Sequence, residues 1–419
     1  MDLSIIIPTY NEAETIGDLI DAINELFSVS DCRYEVFVVD GGSRDNTLDL
    51  ARAKGAYAFR QERVGYGGAL HDAIHRARGA FIITIDADFS HNPYIIKRLF
   101  ALRHSAHILI ASRYTRGGFA NMPFSRRLLS IILNNFLRFA LSLSIRDISS
   151  GFRLYNAEVF KEIDFSAKDF NVLAEILIKA YIQGFKVREI PFHYQPRIKG
   201  TSHARIFSFG LGFLHTMVSL WRVRNSVAAA DYDDRAFHSR IPVQRYWQRQ
   251  RYKIITSLIG HQKHILDVGC GTSKILAAFP QAIGLDILFR KLRFNLSLGN
   301  PLVNADVRHL CFKDESFEVV ICSEVIEHVE KNEEIFKELY RVIKKKGVLI
   351  LGTPDYSRIS WRMIEWLYKR IVPGGYADEH ISRYTKHELF DCMKNFGFRL
   401  ESYRYIVGSE LLCKFVRES

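Results

Sequence analysis

Cysteine is sparse in this chain, and no two cysteines stand close enough to act together. The six, Cys32, Cys270, Cys311, Cys322, Cys392 and Cys413, are scattered over 419 residues with no C-x-x-C pair. That argues against a disulfide framework or a zinc cluster and fits a reducing, cytoplasmic setting. An uninterrupted apolar run of about 20 residues, the length a membrane span needs, is also missing. Leu128 to Ile145 comes near but holds Asn134, Asn135 and Arg138, and Ile206 to Trp221 is short and holds His215. Both are expected to be helices that lie on a membrane or pack on the protein. The N-terminus lacks a basic flank and meets Pro8 and two acids early, so it is expected to be a buried strand rather than a signal peptide.

Acid is missing from one stretch. Between Asp88 and Asp147 stand nine Lys and Arg and no Asp or Glu, among them Arg113, Arg116, Arg126, Arg127, Arg138 and Arg146. A local field of that sign favours anions: phosphates, acidic lipid headgroups or nucleic acid. No nucleic-acid module is legible, so nucleic acid is not expected as a partner. The net charge is +12, and residues 1–225, with 28 basic and 22 acidic side chains, carry half of it.

The length suits two domains, and 48% apolar with 25% charged residues is ordinary for globular protein. Runs at 3–7, 35–40 and 80–86 read as strands, with a helical pattern from Glu14 to Phe27 between the first two. Such alternation predicts an α/β fold with a parallel sheet, whose ligands sit beyond the carboxyl ends of the strands. Asp40 and Asp86 both follow strands and should line one crevice. Residues 226–250 are charged, aromatic and non-periodic, and are expected to be a linker partly ordered against one domain. The strand–helix rhythm then restarts with HILDVG, a helix from Ser273, AIGLDI, FEVVICS and GVLILGT. The expected domains are 1–225 and 251–419.

Asp86-Ala87-Asp88 follows an apolar strand. Two carboxylates so spaced can hold Mg²⁺ or Mn²⁺, hard cations that also bind phosphates. The surrounding segments are Pro8-Thr9-Tyr10-Asn11-Glu12, Asp40-Gly41-Gly42-Ser43, Gly65-Tyr66-Gly67-Gly68-Ala69 and DADFSHNP from Asp86. They continue as Ala111-Ser112-Arg113-Tyr114, Gly117-Gly118, Ser125-Arg126-Arg127 and Ser150-Gly151-Phe152-Arg153. In this order, over about 210 residues, they resemble the family 2 glycosyltransferases of the Rossmann-like GT-A fold, and most nearly the dolichyl-phosphate mannose synthases. The resemblance implies a GDP- or UDP-linked sugar donor cradled by Pro8, Tyr10, Glu12 and Asp40. It implies that Asp86, Ala87 and Asp88 meet the diphosphate, with the two acids on the metal and Asp88 catalytic. Arg113, Arg126 and Ser130 would face the acceptor phosphate, and Arg197 with the loop around Gly200 would close over the donor. The chain departs from the family at Gly41, often a second Asp, which leaves the base open. It departs again at His203, often a Lys near the donor phosphates, where Lys199 or Arg205 could compensate.

An acceptor phosphate is already anionic near neutral pH and needs cations rather than a general base. The arginine-rich stretch therefore favours a polyprenyl phosphate acceptor over a sugar hydroxyl. Glu175, the conceivable base for a hydroxyl, sits in a helical pattern and is expected to be structural.

In the second half, Leu266-Asp267-Val268-Gly269-Cys270-Gly271-Thr272 follows an apolar run, and Asp286 ends the next strand about 20 residues on, where a carboxylate can accept ribose hydroxyls. Ser273 replaces the third glycine of the dinucleotide fingerprint, which argues against NAD. Asn304-Ala305-Asp306, FEVVICSEVIEHV and RVIKKKGVLILGTP complete an order that resembles class I S-adenosylmethionine-dependent methyltransferases. The resemblance implies that Asp267, Gly269 and Gly271 surround the methionine part, Asp286 the ribose and Asp306 the adenine. Glu324, Glu327 and His328, at helical spacing, with His380 downstream resemble metal-dependent O-methyltransferases. The same residues could instead cap a helix or orient the substrate. Trp361, Trp366, Tyr368 and Tyr376 could wall the acceptor pocket but would ordinarily be core.

The expectation is a bifunctional transferase, peripheral on the cytoplasmic face of a membrane, that loads a hexose onto a polyprenyl phosphate and methylates a hydroxyl. The runner-up is a glycan-extending transferase whose methyltransferase-like half is a silent binding module.

Overall fold

The computed structural model describes residues 1–196, 218–371 and 380–418. The chain forms two units, Met1–Arg224 and Asn225–Ser419. Arg197, Lys199, Gly200, His203, Arg205, Tyr376 and most of the Ile206 to Trp221 stretch lie outside the described residues.

In the first unit, β1 (Leu3–Thr9), β2 (Tyr34–Asp40), β3 (Tyr57–Arg60), β4 (Phe81–Thr84), β5 (Ile108–Ser112), β7 (Arg153–Asn156) and β8 (Val187–Pro191) form one sheet. Their order is β3-β2-β1-β4-β7-β5-β8. All neighbours pair in parallel except β7, which is antiparallel to β4 and β5. Two short strands, β6 (Phe119–Ala120) and β9 (His193–Tyr194), pair separately. β1 reads as a continuous apolar run because it is covered on both faces. Leu3, Ile5 and Ile7 pack with Ile16, Leu19, Ile20 and Ile23 of the helix Ile16–Phe27. Each such side chain contributes roughly 1.5–3 kcal/mol of burial. Thr9 pairs with Asp40 and Ile6 with Thr84, so β1, β2 and β4 end at one edge and Asp86 follows there.

The second unit holds β10 (Ile265–Val268), β11 (Ile283–Asp286), β12 (Leu302–Asn304), β13 (Phe317–Ser323), β14 (Ile343–Pro354), β15 (Phe398–Ile406) and β16 (Glu410–Arg417). The order is β12-β11-β10-β13-β14-β16-β15, with β16 antiparallel to both its neighbours. Both units are therefore α/β, as the alternation of strands and helices predicts.

The stretch 226–250, expected as a linker partly ordered against one domain, contributes the helix Tyr232–Phe237 and the first half of Pro242–Ile259 in the second unit. Three other local expectations change. The helix expected from Ser273 is the single turn Ile275–Ala278. The apolar helix expected over Leu128 to Ile145 runs from Phe124 to Ala140, because Pro123 starts it and Ser142 breaks it in a left-handed conformation. Glu324, Glu327 and His328 do not share an α-helix: Glu324 has φ of 60° and a short 3-10 turn spans Ile326–His328. Among the described residues no helix is long and apolar enough to cross a membrane.

Candidate active sites of the two units

Asp40 is fully buried and spends its carboxylate on its own turn. Oδ2 accepts the N–H groups of Gly42 and Ser43 at 3.0 and 2.9 Å, and the Ser43 hydroxyl donates to Oδ1. Ser43 Oγ in turn accepts the Asn11 N–H at 2.7 Å, and Thr47 Oγ1 accepts that of Glu12 at 2.9 Å. The ends of β1 and β2 are thereby tied together, with Asn11 at φ 56° and Tyr10 exposed. Asp40 thus shapes the rim on which Pro8, Tyr10 and Glu12 stand.

Beyond β4, Asp88 and Ala87 are buried and Asp86 is partly exposed. Asp88 Oδ1 accepts the Ser90 N–H at 3.0 Å across Phe89, which is held at φ 57°. A left-handed non-glycine residue between the acid pair and its turn is the kind of strain that functional loops hold. His91 supports the pair from beneath. Its ring stacks on Phe152 at 5.1 Å, and Nδ1 accepts the Asp86 N–H at 3.2 Å. Burial pushes this imidazole below its ordinary pKa, against the opposing pull of Asp86 and Asp88, so it serves as a neutral acceptor. Arg113 and Asp147 act on the same ring. The Tyr194 ring borders both His91 and Arg113, 6.1 Å from the His91 ring and 5.8 Å from the Arg113 guanidinium. The 150–152 segment closes the other side: a Cβ on Gly151 would lie 2.8 Å from Tyr66 Oη and 3.6 Å from Asp86 Oδ1.

The residues expected to face the acceptor are linked but not equivalent. Arg113 Nε and Nη2 donate to Asp147 at 2.8 and 2.7 Å, and Nη2 also reaches Ser149 Oγ at 2.8 Å. The guanidinium also lies 5.2 Å from the Tyr114 ring, whose hydroxyl donates to Ser130 Oγ at 2.8 Å. Arg126 and Arg127 are exposed at the start of the helix Phe124–Ala140. Asp147 was missed as a partner, although it is the acid that ends the acid-free stretch. Glu175 is structural, as expected: it accepts the N–H of Ser166 and Ala167 and pairs with Lys179 at 2.7 Å.

In the second unit, a cavity of about 740 Å³ opens at the carboxyl ends of β10, β11 and β13. Gly269 and Gly271 have φ of 64° and 48°, and both need the absence of a side chain. A Cβ on Gly269 would lie 2.3 Å from Val325 Cγ2, and one on Gly271 would lie 2.4 Å from Asp233 Oδ2. Asp286 accepts Gly271 N–H at 2.9 Å with one oxygen and Leu288 N–H at 2.8 Å with the other. Asp267 lines the cavity, and its Oδ2 has no hydrogen-bond partner among the described residues. Burial, then the charges of Asp286 and Asp233, push its pKa up to about 8. An orphaned buried carboxyl fits a cationic group of a ligand. Asp306 also lines the cavity, with its carboxylate held by Arg308.

Sequence reasoning missed Asp233, Arg251 and Glu410. Asp233 accepts the Thr272 N–H at 3.1 Å and lies 3.4 Å from Lys291 Nζ. Arg251 is paired with Glu410 at 2.6 Å and with Glu324 at 3.0 Å. Glu324 is thus turned to Arg251, while Glu327, His328 and His380 place one ligand atom each within 4.8 Å of one another. The Glu327 carbonyl accepts the N–H groups of Ile381 and Ser382 and so fixes His380 opposite His328, ring to ring at 5.0 Å. His380 Nδ1 is 2.8 Å from Tyr356 Oη, and Trp361 stacks on its ring at 5.9 Å. Of the aromatic residues that could wall a pocket or fill the core, Trp361 is buried against this cluster and Trp366 is exposed.

One sheet therefore carries an acid pair just beyond the carboxyl end of β4, and the other a glycine loop with Asp233, Asp267 and Asp286 around it. These are the marks of a sugar-nucleotide fold and of a methyltransferase fold. Residues 4–164 match the model "Glycosyl transferase family 2", and residues 266–351 match "Methyltransferase domain". A dolichol-phosphate mannosyltransferase of Pyrococcus furiosus is 35% identical over 48% of this chain, which spans 59% of that relative's length. A polyprenol monophosphomannose synthase of Mycolicibacterium smegmatis is 33% identical over 47% of this chain and 79% of its own. The chain belongs to the family 2 glycosyltransferases. A solved methyltransferase from Thermotoga maritima, described as dependent on S-adenosylmethionine, is 22% identical with a TM-score of 0.38, covering 44% of this chain and 94% of its own.

Proposed function

We propose that the first unit transfers a hexose from a GDP- or UDP-linked donor to a polyprenyl phosphate. The observation that carries this reading is that the Asp86 turn is held by His91 while the Arg113 guanidinium faces the Tyr194 ring that also borders His91, in a relative of mannosyltransferases that use such acceptors. Asp86 and Asp88 would hold Mg²⁺ or Mn²⁺, which when bound offsets the charge of the departing diphosphate. His91 keeps the Asp86 backbone in place, and Asp40 keeps the nucleotide rim in shape. The acceptor phosphate oxygen attacks the anomeric carbon as its bond to the donor phosphate breaks, with inversion. Arg126 and Arg127, exposed at a helix start, are the cations best placed to receive an acceptor phosphate. Arg113, already neutralised by Asp147, positions Tyr114 and through it Ser130.

The same helix supports a peripheral membrane location on the cytoplasmic face. Leu128, Leu129, Ile132, Leu133, Phe136 and Phe139 are all exposed, and only Asn134 and Leu137 are buried. An amphipathic helix with an outward apolar face and a basic start suits an anionic lipid surface.

The second unit is read as a methyltransferase that uses S-adenosylmethionine on a hydroxyl. Asp267 suits the ammonium end, Asp286 the ribose and Asp306 the adenine side; the cofactor when bound supplies an electrophilic methyl group. Glu327, His328 and His380 form the acceptor site, where they would hold a divalent ion or the hydroxyl itself.

Labelled GDP- and UDP-hexoses offered with polyprenyl phosphate or with free sugars test the first reading. Label in the lipid extract is expected, and label on free sugar alone would refute it. Calorimetry of the full chain with S-adenosylmethionine tests the second: absence of heat at any practical concentration would support a silent module.

A further inference from the structure

The helix Ile359–Ile371 of the second unit has two unlike faces. Its inner face carries Trp361, which is buried, stacks on His380 and meets Trp247 at 6.2 Å. Its outer face carries Ile359, Met363, Trp366 and Leu367, exposed to 72%, 66%, 56% and 52%. These positions are spaced i, i+4, i+7 and i+8, so they form one stripe. Scattered exposed apolar residues need no explanation, but four large ones in a row mark an interaction surface.

The charge around the stripe says what kind of partner it fits. Residues 356–371 contain Arg358, Arg362, Lys369 and Arg370 against one acid, Glu365. Glu365 is only partly exposed and lies 3.4 Å from Tyr356 Oη. Arg362 and Arg370 are exposed, Arg358 is exposed but lies 3.7 Å from Asp355, and the Arg370 guanidinium lies over the Trp366 ring at 4.1 Å. An indole beside an arginine, at the edge of an aliphatic stripe, is the composition of helices that lie in a headgroup layer. Each added cation strengthens attraction to anionic lipid.

We propose that this face of the second unit docks on an anionic bilayer surface, independently of the helix Phe124–Ala140. The occupant is the headgroup and upper acyl region of the lipid. One consequence rests on reading the second unit as a methyltransferase. Trp361, on the back of the same helix, walls the His328 and His380 cluster, so a docked unit receives its acceptor hydroxyl from the lipid surface. The methyl acceptor is then an amphiphile, or a sugar carried on one.

Tryptophan fluorescence of the full chain provides the test. Of the four tryptophans, Trp366 is exposed, Trp361 is buried, and Trp221 and Trp247 are partly buried. Vesicles of phosphatidylcholine with about 30% phosphatidylglycerol, part of it brominated on the acyl chains, should quench and blue-shift the emission. Trp366→Phe should remove that quenching while leaving vesicle binding largely intact. Ile359→Gln, Met363→Gln and Leu367→Gln together should weaken vesicle binding by roughly tenfold, with S-adenosylmethionine binding and the melting curve unchanged. Leu129→Gln, Ile132→Gln and Phe136→Gln in the first unit should lower total binding yet leave Trp366 quenched in the bound fraction. Binding that persists with Trp366 unquenched would overturn the proposal and leave membrane docking of the first unit standing. Self-association abolished by the second-unit triple variant, without any quenching, would assign the face to a second copy and also overturn it.

Discussion

Arg113 and Asp147 form a two-pronged ion pair, 2.8 and 2.7 Å long, with Asp147 fully buried. Burial alone would raise the Asp147 carboxyl, but the Arg113 charge and hydrogen bonds outweigh it and hold the pKa below its ordinary value. A depressed acid stabilises the fold above its unfolded pKa of about 4, and that contribution is lost as pH falls through the folded value. Arg113→Ala leaves a buried charge without its partner and should cost about 3–5 kcal/mol at neutral pH. The deficit should shrink on acidification below about pH 4. Urea unfolding curves across that range check the prediction; a deficit that does not depend on pH would contradict it.

Asp267 should make cofactor binding depend on pH near neutrality, well above the range of an ordinary carboxylate site. Its pKa is raised to about 8, so at pH 6 it is mostly protonated. An ammonium group favours the ionised form, so binding should release a proton, and affinity should rise between pH 6 and pH 8.5 by about tenfold or more. Calorimetry in buffers of differing ionisation enthalpy measures both. Asp267→Asn should abolish the proton release; a flat affinity profile in the unaltered chain would count against the assignment.

Gly271→Ala should damage the second unit without touching the first. The new methyl group would meet Asp233 Oδ2 at 2.4 Å in a left-handed backbone. The expected loss is about 1–3 kcal/mol of local stability with a matching loss of S-adenosylmethionine affinity. Sugar transfer should persist. Equal loss of both activities would indicate that the units are not separable.

Asp88→Asn keeps the shape of the turn after β4 but removes a charge. Several kcal/mol of diphosphate stabilisation would go with it, so sugar transfer should fall by about a hundredfold or more. The melting temperature should change little, because the asparagine oxygen can still accept the Ser90 N–H. Full activity in this variant would defeat the metal role of the pair.

What was legible in the sequence was whatever is local. The strands β1, β2 and β10 announce themselves as apolar runs, and Asp86-Ala87-Asp88 and Gly269-Cys270-Gly271 lie within a few residues of strand ends. The two domains follow from the rhythm of those strands. What was not legible depends on partners far apart in the chain. Glu410 pairs with Arg251 across 159 residues, and no local pattern signals it. Asp147 marked the edge of the acid-free stretch, yet that edge gave no hint that it would neutralise Arg113, 34 residues away. The stretch 226–250 looked irregular because its apolar positions serve two short elements, Tyr232–Phe237 and the start of Pro242–Ile259, rather than one long period. Spacing placed Glu324, Glu327 and His328 on a helix face, but the backbone at Glu324 turns left-handed and sends that carboxylate to Arg251 instead.

The most direct test of the account compares a polyprenyl phosphate with the corresponding polyprenol, which has the same chain and no phosphate. The full protein is supplied with Mn²⁺ and a labelled nucleotide hexose, and the lipid extract is counted. Label on the phosphate ester and none on the alcohol is expected, because Arg126 and Arg127 offer exposed cations for an anion and Glu175 is spent on Ser166, Ala167 and Lys179. Equal transfer to the alcohol would contradict the central claim.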